Sequence, residues 1–563
     1  MRAAEMQALD RRTIEGQGIP GELLMESAGR ALVGPAARLC RTGARRHRPI
    51  RAFCGAGNNG GDGFVAVRHL WLEGIAAEAV LVGDPTRLPP DAAANWRRLA
   101  DLAGARRIVS QDDDAFDWAA LLDGTSVALD ALFGTGLTRP IAGGYGRLIE
   151  AMNAARGRGL GVLAVDLPSG IAADSGRILG VAVEADETVT ISLPKPALAL
   201  EPGRSHAGRI VVARVGIADP DPGRAERIEL WNAVAAAVRL PPRPRAGHKG
   251  RFGHVLVAAG SSGKWGAAAL ATRAALRAGA GLVTLASPDV AGAVVPELAA
   301  EVMTERVAAT ASGGFATAAA KAIGELAAAR TVLAIGPGLG MDPETVRCVQ
   351  ALVLSVERPM VVDADGLNAL QGALERVRTR RAPTVLTPHP GEAARLLDSD
   401  AAALNADRVG SARRLAERSG AIVVLKGAGT VVAAPGGRAL IVPTGGPVLA
   451  TGGTGDVLTG IVAALLATGM EPFEAAGLAA WWHGAAADRS LAAGVGFGLL
   501  ASEVADALPG CAEALRRSVD ATGGTDSPAG GSGLGHGSGF GREGGRGDGG
   551  DQADALVHRF PGP

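Results

Sequence analysis

Short apolar strands that run into glycine-rich loops and then into helices recur along the chain, and this alternation constrains the fold most. Residues 50–54 lead into the loop 55–63, and residues 254–259 lead into the loop 260–268, with a helical pattern after each loop. Strands that alternate with helices form a mostly parallel sheet with helices on both faces. The sequence therefore predicts an α/β protein that opens with a Rossmann-like, doubly wound domain.

A glycine-rich turn followed at once by a strongly apolar helix occupies residues 451–469. Gly452, Gly453 and Gly455 let the backbone approach a ligand without Cβ clashes, and the first amides of a helix attract phosphate oxygens. Asp456 is unexpected there, because a carboxylate repels a phosphate. It makes sense if Asp456 takes a proton from a hydroxyl that attacks the phosphate. The alternative is an Asp that only caps the helix.

Composition excludes several classes of protein. The 563 residues exceed one ordinary core, so at least two domains are expected. The 57 basic and 57 acidic residues balance and aromatics make up 3%, which argues against a nucleic-acid partner. Apolar stretches such as 457–467 are too short to cross a membrane. Widely scattered cysteines without metal spacing indicate reduced thiols and a cytoplasmic location, and they are Cys40, Cys54, Cys348 and Cys511.

Two Pro-rich polar stretches, at 216–227 and 240–247, mark a linker region. We place the domain boundary near residue 225. The predicted organisation is a first domain at 1–225, a second domain at 226–519 and a tail at 520–563. Half of residues 523–550 are glycine, so a disordered tail is expected.

Polar clusters follow three strands of the first domain. Carboxyl ends of parallel strands share one sheet edge, so Asn59, Asp130 and Ser169 are expected to converge as an oxygen-only cage for a hard cation. Asp166, also at a strand end, could be a general base, and Tyr145 could lie over a flat ligand. Each residue has an alternative interpretation, because these side chains could cap helices, form a turn or, for Tyr145, act as a half-buried anchor.

The ordered set NNGGDG at 58–63, D-ALFGTGL at 130–137, RPIAGGY at 139–145 and DLPSG at 166–170 resembles the NAD(P)H-hydrate epimerase family over roughly residues 1–220. The resemblance implies interconversion of the R and S forms of hydrated nicotinamide cofactors, with Asp166 as a plausible proton-transfer group. It implies a potassium ion held by Asn59, Asp130 and Ser169. The implied substrate contacts are Asn58, Asn59, Gly60, Gly61, Asp62, Gly134, Thr135, Gly136, Leu137, Thr138, Arg139, Pro140, Tyr145 and Asp166.

The second half carries GPGLG, VDADGLNAL, TPHPGE, KGAGT and TGGTGDVLTG in order, and resembles the NAD(P)H-hydrate dehydratase branch of the ribokinase-like fold. One departure is SSGKWG at 261–266, which differs from the family's usual loop. The resemblance implies that Ala267, Gly338, His389 and Asp456 contact the hydrated cofactor. It implies that ADP is bound by Lys426, Gly427, Ala428, Gly429, Thr430 and Gly455. Taken singly, His389 could be structural and Lys426 a strand-end surface charge.

Together the two resemblances imply a bifunctional repair enzyme with catalytic residues Asp166 and Asp456. NADHX and NADPHX, the hydrates of NADH and NADPH, would be the substrates; ADP would be the phosphate donor, with Mg²⁺ and K⁺ as cofactors, and we expect a homo-oligomer. One alternative is a kinase of the same fold acting on a vitamin-precursor alcohol. Another is a first domain that only binds a partner. The set Asn59, Asp130, Asp166 and Ser169 favours catalysis.

Overall fold

The computed structural model describes residues 1–42, 45–217, 226–288 and 298–522, and strands alternate with helices throughout these ranges. The predicted tail at 520–563 lies outside them from residue 523 onward and stays a prediction. Within the described ranges, no helix combines the length and apolarity needed to cross a bilayer. The strands form two sheets, one in each half of the chain.

The first sheet has seven parallel strands in the order β3-β2-β1-β4-β5-β6-β7. The strand order reverses between β1 and β4, which is the place where ligands bind in doubly wound sheets. The strands are β1 (Ile50–Cys54), β2 (Ala77–Val82), β3 (Arg106–Val109), β4 (Val127–Ala131), β5 (Gly161–Val165), β6 (Glu187–Ile191) and β7 (Arg209–Ala213).

Helices cover both faces of this sheet. Leu32 and Phe64 pack in the apolar cluster on one face, whereas Trp118 and Met152 belong to the cluster on the other. The helices of this half are α1 (Ala3–Arg11), α2 (Gly21–Thr42), α3 (Asn58–Leu72), α4 (Pro90–Arg98), α5 (Trp118–Asp123), α6 (Gly143–Arg156) and α7 (Gly203–His206).

The second sheet has ten strands in the order β11-β10-β9-β12-β13-β14-β15-β16-β17-β8. It is parallel except at β16, which is antiparallel to both neighbours. The strands are β8 (Ile228–Leu230), β9 (His254–Ala258), β10 (Leu282–Pro288), β11 (Met303–Val307), β12 (Val332–Ile335), β13 (Met360–Val362), β14 (Thr384–Leu386), β15 (Ile422–Leu425), β16 (Val431–Ala433) and β17 (Ala439–Ile441).

Two apolar clusters again enclose the sheet. Ala271, Ile461 and Leu478 lie in one, and Ile323 and Leu415 in the other. The helices are α8 (Ala233–Ala237), α9 (Trp265–Arg277), α10 (Ala319–Ala328), α11 (Pro343–Ser355), α12 (Ala364–Asn368), α13 (Pro390–Leu397), α14 (Ala401–Ala406), α15 (Arg408–Ser419), α16 (Thr454–Ala467), α17 (Pro472–Ala492) and α18 (Ala501–Thr522). The predicted α/β class is confirmed, and β8 shows that the second sheet takes its first strand from just after residue 225.

Two glycine-rich segments that we predicted to be loops are helical instead. Helix α3 begins at Asn58, so the NNGGDG segment forms its first turns, and α16 begins at Thr454, so Gly455 and Asp456 lie inside its first turn. The glycines permit close packing of these turns, since a Cβ on Gly60 would lie 2.1 Å from the carbonyl oxygen of Gly55. The pattern of small polar residues in the sequence does not show this close packing, so it did not predict a helix in these segments.

Candidate functional site

The first candidate site lies where β1, β4 and β5 end side by side. Asn59 is in the helix that follows β1, Asp130 is in β4, and Ser169 follows β5. Ser169 Oγ donates to Asp130 Oδ1 at 2.5 Å, and the Ser169 amide donates to Asp130 Oδ2 at 2.7 Å. The fold therefore brings two of the three predicted ion ligands into direct contact.

Asp130 is a fully buried carboxylate, and burial raises its pKa from 3.8 to about 6. Its hydrogen-bond donors within the described residues are neutral, and no ion pair of Asp130 occurs among them. A buried carboxylate surrounded only by neutral donors favours a bound cation, because an unpaired charge away from water is costly. This environment fits a potassium ion.

Asn59 lies beside this carboxylate cluster. A Cβ on Gly134 would lie 3.2 Å from Asn59 Oδ1, and the carbonyl oxygen of Phe133 accepts a 3.3 Å hydrogen bond from Ser169 Oγ. The Asn59 Nδ2 atom is buried and has no hydrogen-bond partner among the residues that the structure describes. Asn59 thus lies next to Gly134, one residue from the Phe133 carbonyl oxygen that contacts Ser169, and the ligation of K⁺ by the three predicted residues stays a prediction.

Asp166 follows β5 with φ at 67°, a left-handed conformation that is uncommon for a residue other than glycine. Its Oδ1 accepts hydrogen bonds from the Ile191 amide at 2.9 Å and from Thr190 Oγ1 at 3.2 Å, and it forms an ion pair with Lys195. The sequence interpretation missed Lys195, whose only local signal is a lone lysine in the apolar segment 191–200.

The remaining predicted contacts of the first half differ in how far they are buried, and their roles stay predictions. Tyr145 donates its hydroxyl to the carbonyl oxygen of Val82 at 2.7 Å, and its ring lies edge-on to Phe133 at a centroid distance of 4.8 Å. These contacts fit the alternative interpretation of Tyr145 as a half-buried anchor, and its contact with the substrate stays a prediction. Burial, together with the carboxylate of Asp166, raises the pKa of Asp62 well above its usual range. The loop that contains Gly134, Thr135, Gly136, Leu137, Thr138, Arg139 and Pro140 connects β4 towards α6 and is partly exposed.

The second candidate site lies at the carboxyl ends of β13, β14 and β15. Asp363 follows β13 and is 1% exposed; its Oδ1 accepts from Lys426 Nζ and its Oδ2 from Thr459 Oγ1, both at 2.7 Å. Lys426 Nζ also lies 3.9 Å from Glu392 Oε2. The sequence interpretation missed Asp363, Glu392 and Thr459 as site residues, although VDADG and TPHPGE contain the first two.

Asp456 lies in the first turn of α16, close to this ion pair. Burial and the nearby Asp363 carboxylate raise its pKa from 3.8 to about 7. Gly455 makes room for the arrangement, because a Cβ there would lie 3.2 Å from Lys426 Nζ and 3.9 Å from Asp363 Oδ2. A carboxyl group whose pKa is near neutrality can both take and return a proton, which is the property required of a general base.

The segment 427–430 is held from one side by Arg408. This buried guanidinium, whose pKa is lowered to about 10 by burial, donates to the carbonyl oxygens of Leu425, Lys426 and Gly429 at 3.0–3.2 Å. Ala428 is exposed at the tip, and Thr430 Oγ1 donates to the Gly427 carbonyl oxygen at 3.0 Å. Arg408 thus stabilises the turn that we predict to bind ADP.

The predicted cofactor contacts of the second half lie at neighbouring strand ends. A Cβ on Gly338 would lie 3.1 Å from the Cβ of Ala267, so these two residues are adjacent. His389 caps α13, because its Nδ1 accepts from the amides of Gly391 at 3.0 Å and Glu392 at 3.4 Å. About half of the His389 side chain is exposed (51%), so the ring combines a structural cap with an accessible edge.

Comparison with known proteins follows this division of the chain. Residues 21–197 match the family model described as YjeF-related protein N-terminus, and residues 255–510 match the model described as NAD(P)H-hydrate dehydratase. The bifunctional NAD(P)H-hydrate repair enzyme Nnr of Moorella thermoacetica is 40% identical over 523 residues, covering 92% of this chain and 97% of the relative. The chain belongs to the family of bifunctional NAD(P)H-hydrate repair enzymes.

Other members of this repair family are nearly as similar. The Nnr enzymes of Thermofilum pendens and Escherichia coli are 39% and 34% identical, with 97% and 92% of their lengths and 92% and 89% of this chain covered. The ADP/ATP-dependent NAD(P)H-hydrate dehydratase of Bacillus subtilis, crystallised with ATP and Mg²⁺, is 32% identical, and the alignment covers 51% of this chain and 98% of that one with a TM-score of 0.44. The expectation of a bifunctional enzyme that combines NAD(P)H-hydrate epimerase and dehydratase domains is confirmed at the level of the family.

Proposed function

We propose that this chain repairs hydrated NADH and NADPH in two steps. The first domain interconverts the R and S hydrates, and the second uses ADP to dehydrate the S hydrate, giving NAD(P)H, AMP and phosphate. The observation that carries the proposal is the presence, on one chain of this family, of two carboxylate-centred sites, each at the carboxyl end of its own parallel sheet.

In the dehydratase step, Asp456 takes the proton of the ring hydroxyl as that oxygen attacks the β-phosphorus of ADP. The bond from this phosphorus to the bridging oxygen breaks, and AMP leaves. Amides at the start of α16 and the ammonium of Lys426 stabilise the charge of the transferring phosphoryl group. The carbon–oxygen bond then breaks, inorganic phosphate leaves, and loss of a proton restores the dihydropyridine ring. Phosphorylation thus converts a poor leaving group into a good one.

In the epimerase step, Asp166 is the proposed proton-transfer group, and the NNGGDG turns and the loop 134–140 are the proposed cofactor contacts. Potassium, held by Asn59, Asp130 and Ser169, would supply a fixed positive charge beside the substrate. Mg²⁺ would enter with ADP, neutralising phosphate charge beside the acidic residues around Lys426, where it usually keeps several waters.

The quaternary structure and location belong to the same proposal. Leu491, near the end of α17, and Val495, Phe497 and Leu500, in the segment before α18, have exposed side chains. Exposed apolar side chains close together in the sequence support self-association. All four cysteines are free, which supports the reducing cytoplasm. Light scattering tests the expected homo-oligomer, with a monomer as the contrary result.

The proposal is tested by supplying each hydrate separately. With S hydrate, ADP and Mg²⁺, we expect the absorbance of reduced nicotinamide to recover with one AMP formed per NADH. With R hydrate, recovery requires an active first domain, and Asp166→Asn should slow R-hydrate repair while leaving S-hydrate repair unchanged. A stable phosphate ester formed from a vitamin-precursor alcohol, without NADH recovery, would instead support the alternative kinase function.

A further inference from the structure

Lys195 lies between β6 and α7 with its side chain 1% exposed, directly against Asp166. Its ammonium donates to Asp166 Oδ1, to the Ile191 carbonyl oxygen at 2.8 Å and to Thr190 Oγ1 at 3.3 Å. These three acceptors account for all three protons of the group. The lysine is therefore fixed in place and its charge is directed at one carboxylate.

The two oxygens of Asp166 are used differently. Oδ1 accepts from Lys195, the Ile191 amide and Thr190. Oδ2 accepts no hydrogen bond from any residue that the structure describes, and the side chain remains 12% exposed. One oxygen is thus saturated by the protein, and the other is left for a group that enters the site.

The choice of lysine at position 195 is notable in this chain. Only five of the 57 basic residues are lysines, and Lys195 is the only one before residue 249. Arginine, which provides nearly every other positive charge, has a planar fork of five donors, whereas an ammonium is compact and can direct three donors at clustered acceptors. The acceptors around Lys195 are clustered in this way, so the site has the geometry of an ammonium.

The charged groups around the pair are mostly acidic. Asp10 from α1 and Asp62 from α3 lie close enough to interact electrostatically with both Asp166 and Lys195, and the Met1 amino group interacts with Lys195. The ammonium of Lys195 therefore balances negative charge in a pocket that contains several carboxylates. Burial and the Asp166 carboxylate raise the pKa of Asp62 well above its usual range.

We propose that Lys195 is a positioning residue of the epimerase reaction: its ammonium orients the Asp166 carboxylate and occupies Oδ1, so that Oδ2 is the oxygen presented to the substrate. This inference rests on the proposed epimerase function and adds a residue and an atom to it. The backbone of Asp166 adopts a left-handed conformation that is unfavourable for a residue other than glycine. The ion pair with Lys195 helps to hold Asp166 in this conformation, which fits the same positioning role.

The test is epimerisation of pure R hydrate by the full-length Lys195→Met enzyme, with excess wild-type dehydratase activity removing the S product. We expect kcat to fall by on the order of 100-fold with KM nearly unchanged, because positioning and proton transfer are lost and binding is not. We also expect the acidic limb of the pH–rate profile to move up by about one pH unit, since a carboxylate that loses a neighbouring cation holds its proton more tightly.

Two controls separate this role from a structural one. The dehydratase activity of the same variant on S hydrate reports folding, and Arg51→Met removes a matched half-buried ion pair, with Glu78, at the opposite end of β1. Arg51→Met should leave the epimerase pH profile unchanged. In Lys195→Ala, added ethylamine should restore part of the activity by entering the cavity, whereas in Lys195→Met the cavity is filled and no rescue should occur.

An unshifted pH profile with near wild-type kcat in Lys195→Met would overturn the proposal, and so would a folded Lys195→Ala enzyme that amine cannot rescue. If Lys195→Met loses both activities, Lys195→Ala decides the question in its place: retained dehydratase activity with amine-dependent epimerisation supports the proposal, and retained dehydratase activity without amine rescue overturns it. A wild-type enzyme that fails to interconvert R and S hydrates would refute the proposed epimerase function itself, whatever Lys195 does.

Discussion

Replacing Asp456 by Asn should abolish dehydration and stabilise the protein at the same time. The substitution keeps the shape of the side chain and removes its ability to ionise. Without a group to take the hydroxyl proton, we expect dehydratase kcat to fall by about 10²–10⁴-fold, the usual contribution of a general base. The epimerase rate should not change, because Asp456 lies in α16, a helix that packs on the second sheet and not on the first.

The stability gain follows from the pKa of Asp456, which the folded protein raises from 3.8 to about 7. The folded carboxyl group therefore holds its proton more tightly than the unfolded one, so wild-type stability falls as pH rises from about 4 to about 7 and stays low above that. The full difference corresponds to about 4 kcal/mol. Because the side chain keeps some contact with solvent, we expect about half of it, ~2 kcal/mol, to be measurable.

The assay compares the thermal unfolding of wild type and Asp456→Asn at about pH 5 and about pH 9, where the native carboxyl is mostly protonated and mostly ionised. A gain of ~2 kcal/mol corresponds to a rise of roughly 4–8 °C in the midpoint for a domain of this size. The difference between variant and wild type should be about two-fifths of that value at the lower pH and reach it at the higher one. Ligand-free protein is required, since bound ADP adds its own stabilisation.

A surface carboxylate provides the control. Glu357 is exposed in the loop after α11, and Glu357→Gln should show no pH-dependent difference from wild type. The reasoning fails if Asp456→Asn is no more stable at the higher pH than at the lower one, because the raised pKa would then not reflect burial. Retained dehydratase turnover would independently remove the proposed role as base.

Three further predictions concern the same two sites. Asp130→Asn should fold and should lose any K⁺ dependence of epimerisation; K⁺ should raise the unfolding temperature of wild type above about pH 6 and not that of the variant. At Gly429 φ is 66°, and a Cβ there would lie 2.7 Å from the Ala199 carbonyl oxygen. Gly429→Ala should therefore raise KM for ADP by roughly tenfold in titrations, while R–S interconversion stays unaffected. Asp363→Asn should move the acidic limb of dehydratase kcat/KM to lower pH, because it removes the charge that repels the Asp456 carboxylate, and an unmoved limb would contradict this.

The sequence predicted most strands and helices and the sheet edges at which the candidate sites lie. Strand–glycine–helix alternation indicates parallel sheets, and parallel sheets bring their strand ends to one edge, so Asp130 and Ser169 could be assigned to a site from local pattern. The same reasoning placed Asp456 at a helix start, where its distance from water and from Asp363 then determines its pKa. The role of Lys426 came only from the resemblance to the dehydratase family.

The ion-pair partners could not be predicted in this way. Lys195 lies 29 residues from Asp166 in the chain, and Asp363 lies 63 residues from Lys426, so neither pair leaves a periodic signal. Each depends on how adjacent strands align and on which side chain fills the space between two strand ends. Composition held a weaker clue, because lysine is rare in this chain and two of its five lysines occupy these two sites.

One segment of the first half reaches the second site. Lys195 pairs with Asp166, yet Leu200, a few residues later, is 1% exposed and belongs to the apolar cluster that covers the second sheet. The carbonyl oxygen of Ala199 and the side chain of Leu200 lie against Gly429 of the proposed ADP loop. Burying a leucine contributes about 2 kcal/mol, and an isolated first domain would leave that side chain in water. The linker near residue 225 therefore separates the two domains in the chain, whereas in space the segment that carries Lys195 is ordered by contacts from both, which gives a physical reason for the two activities to share one polypeptide.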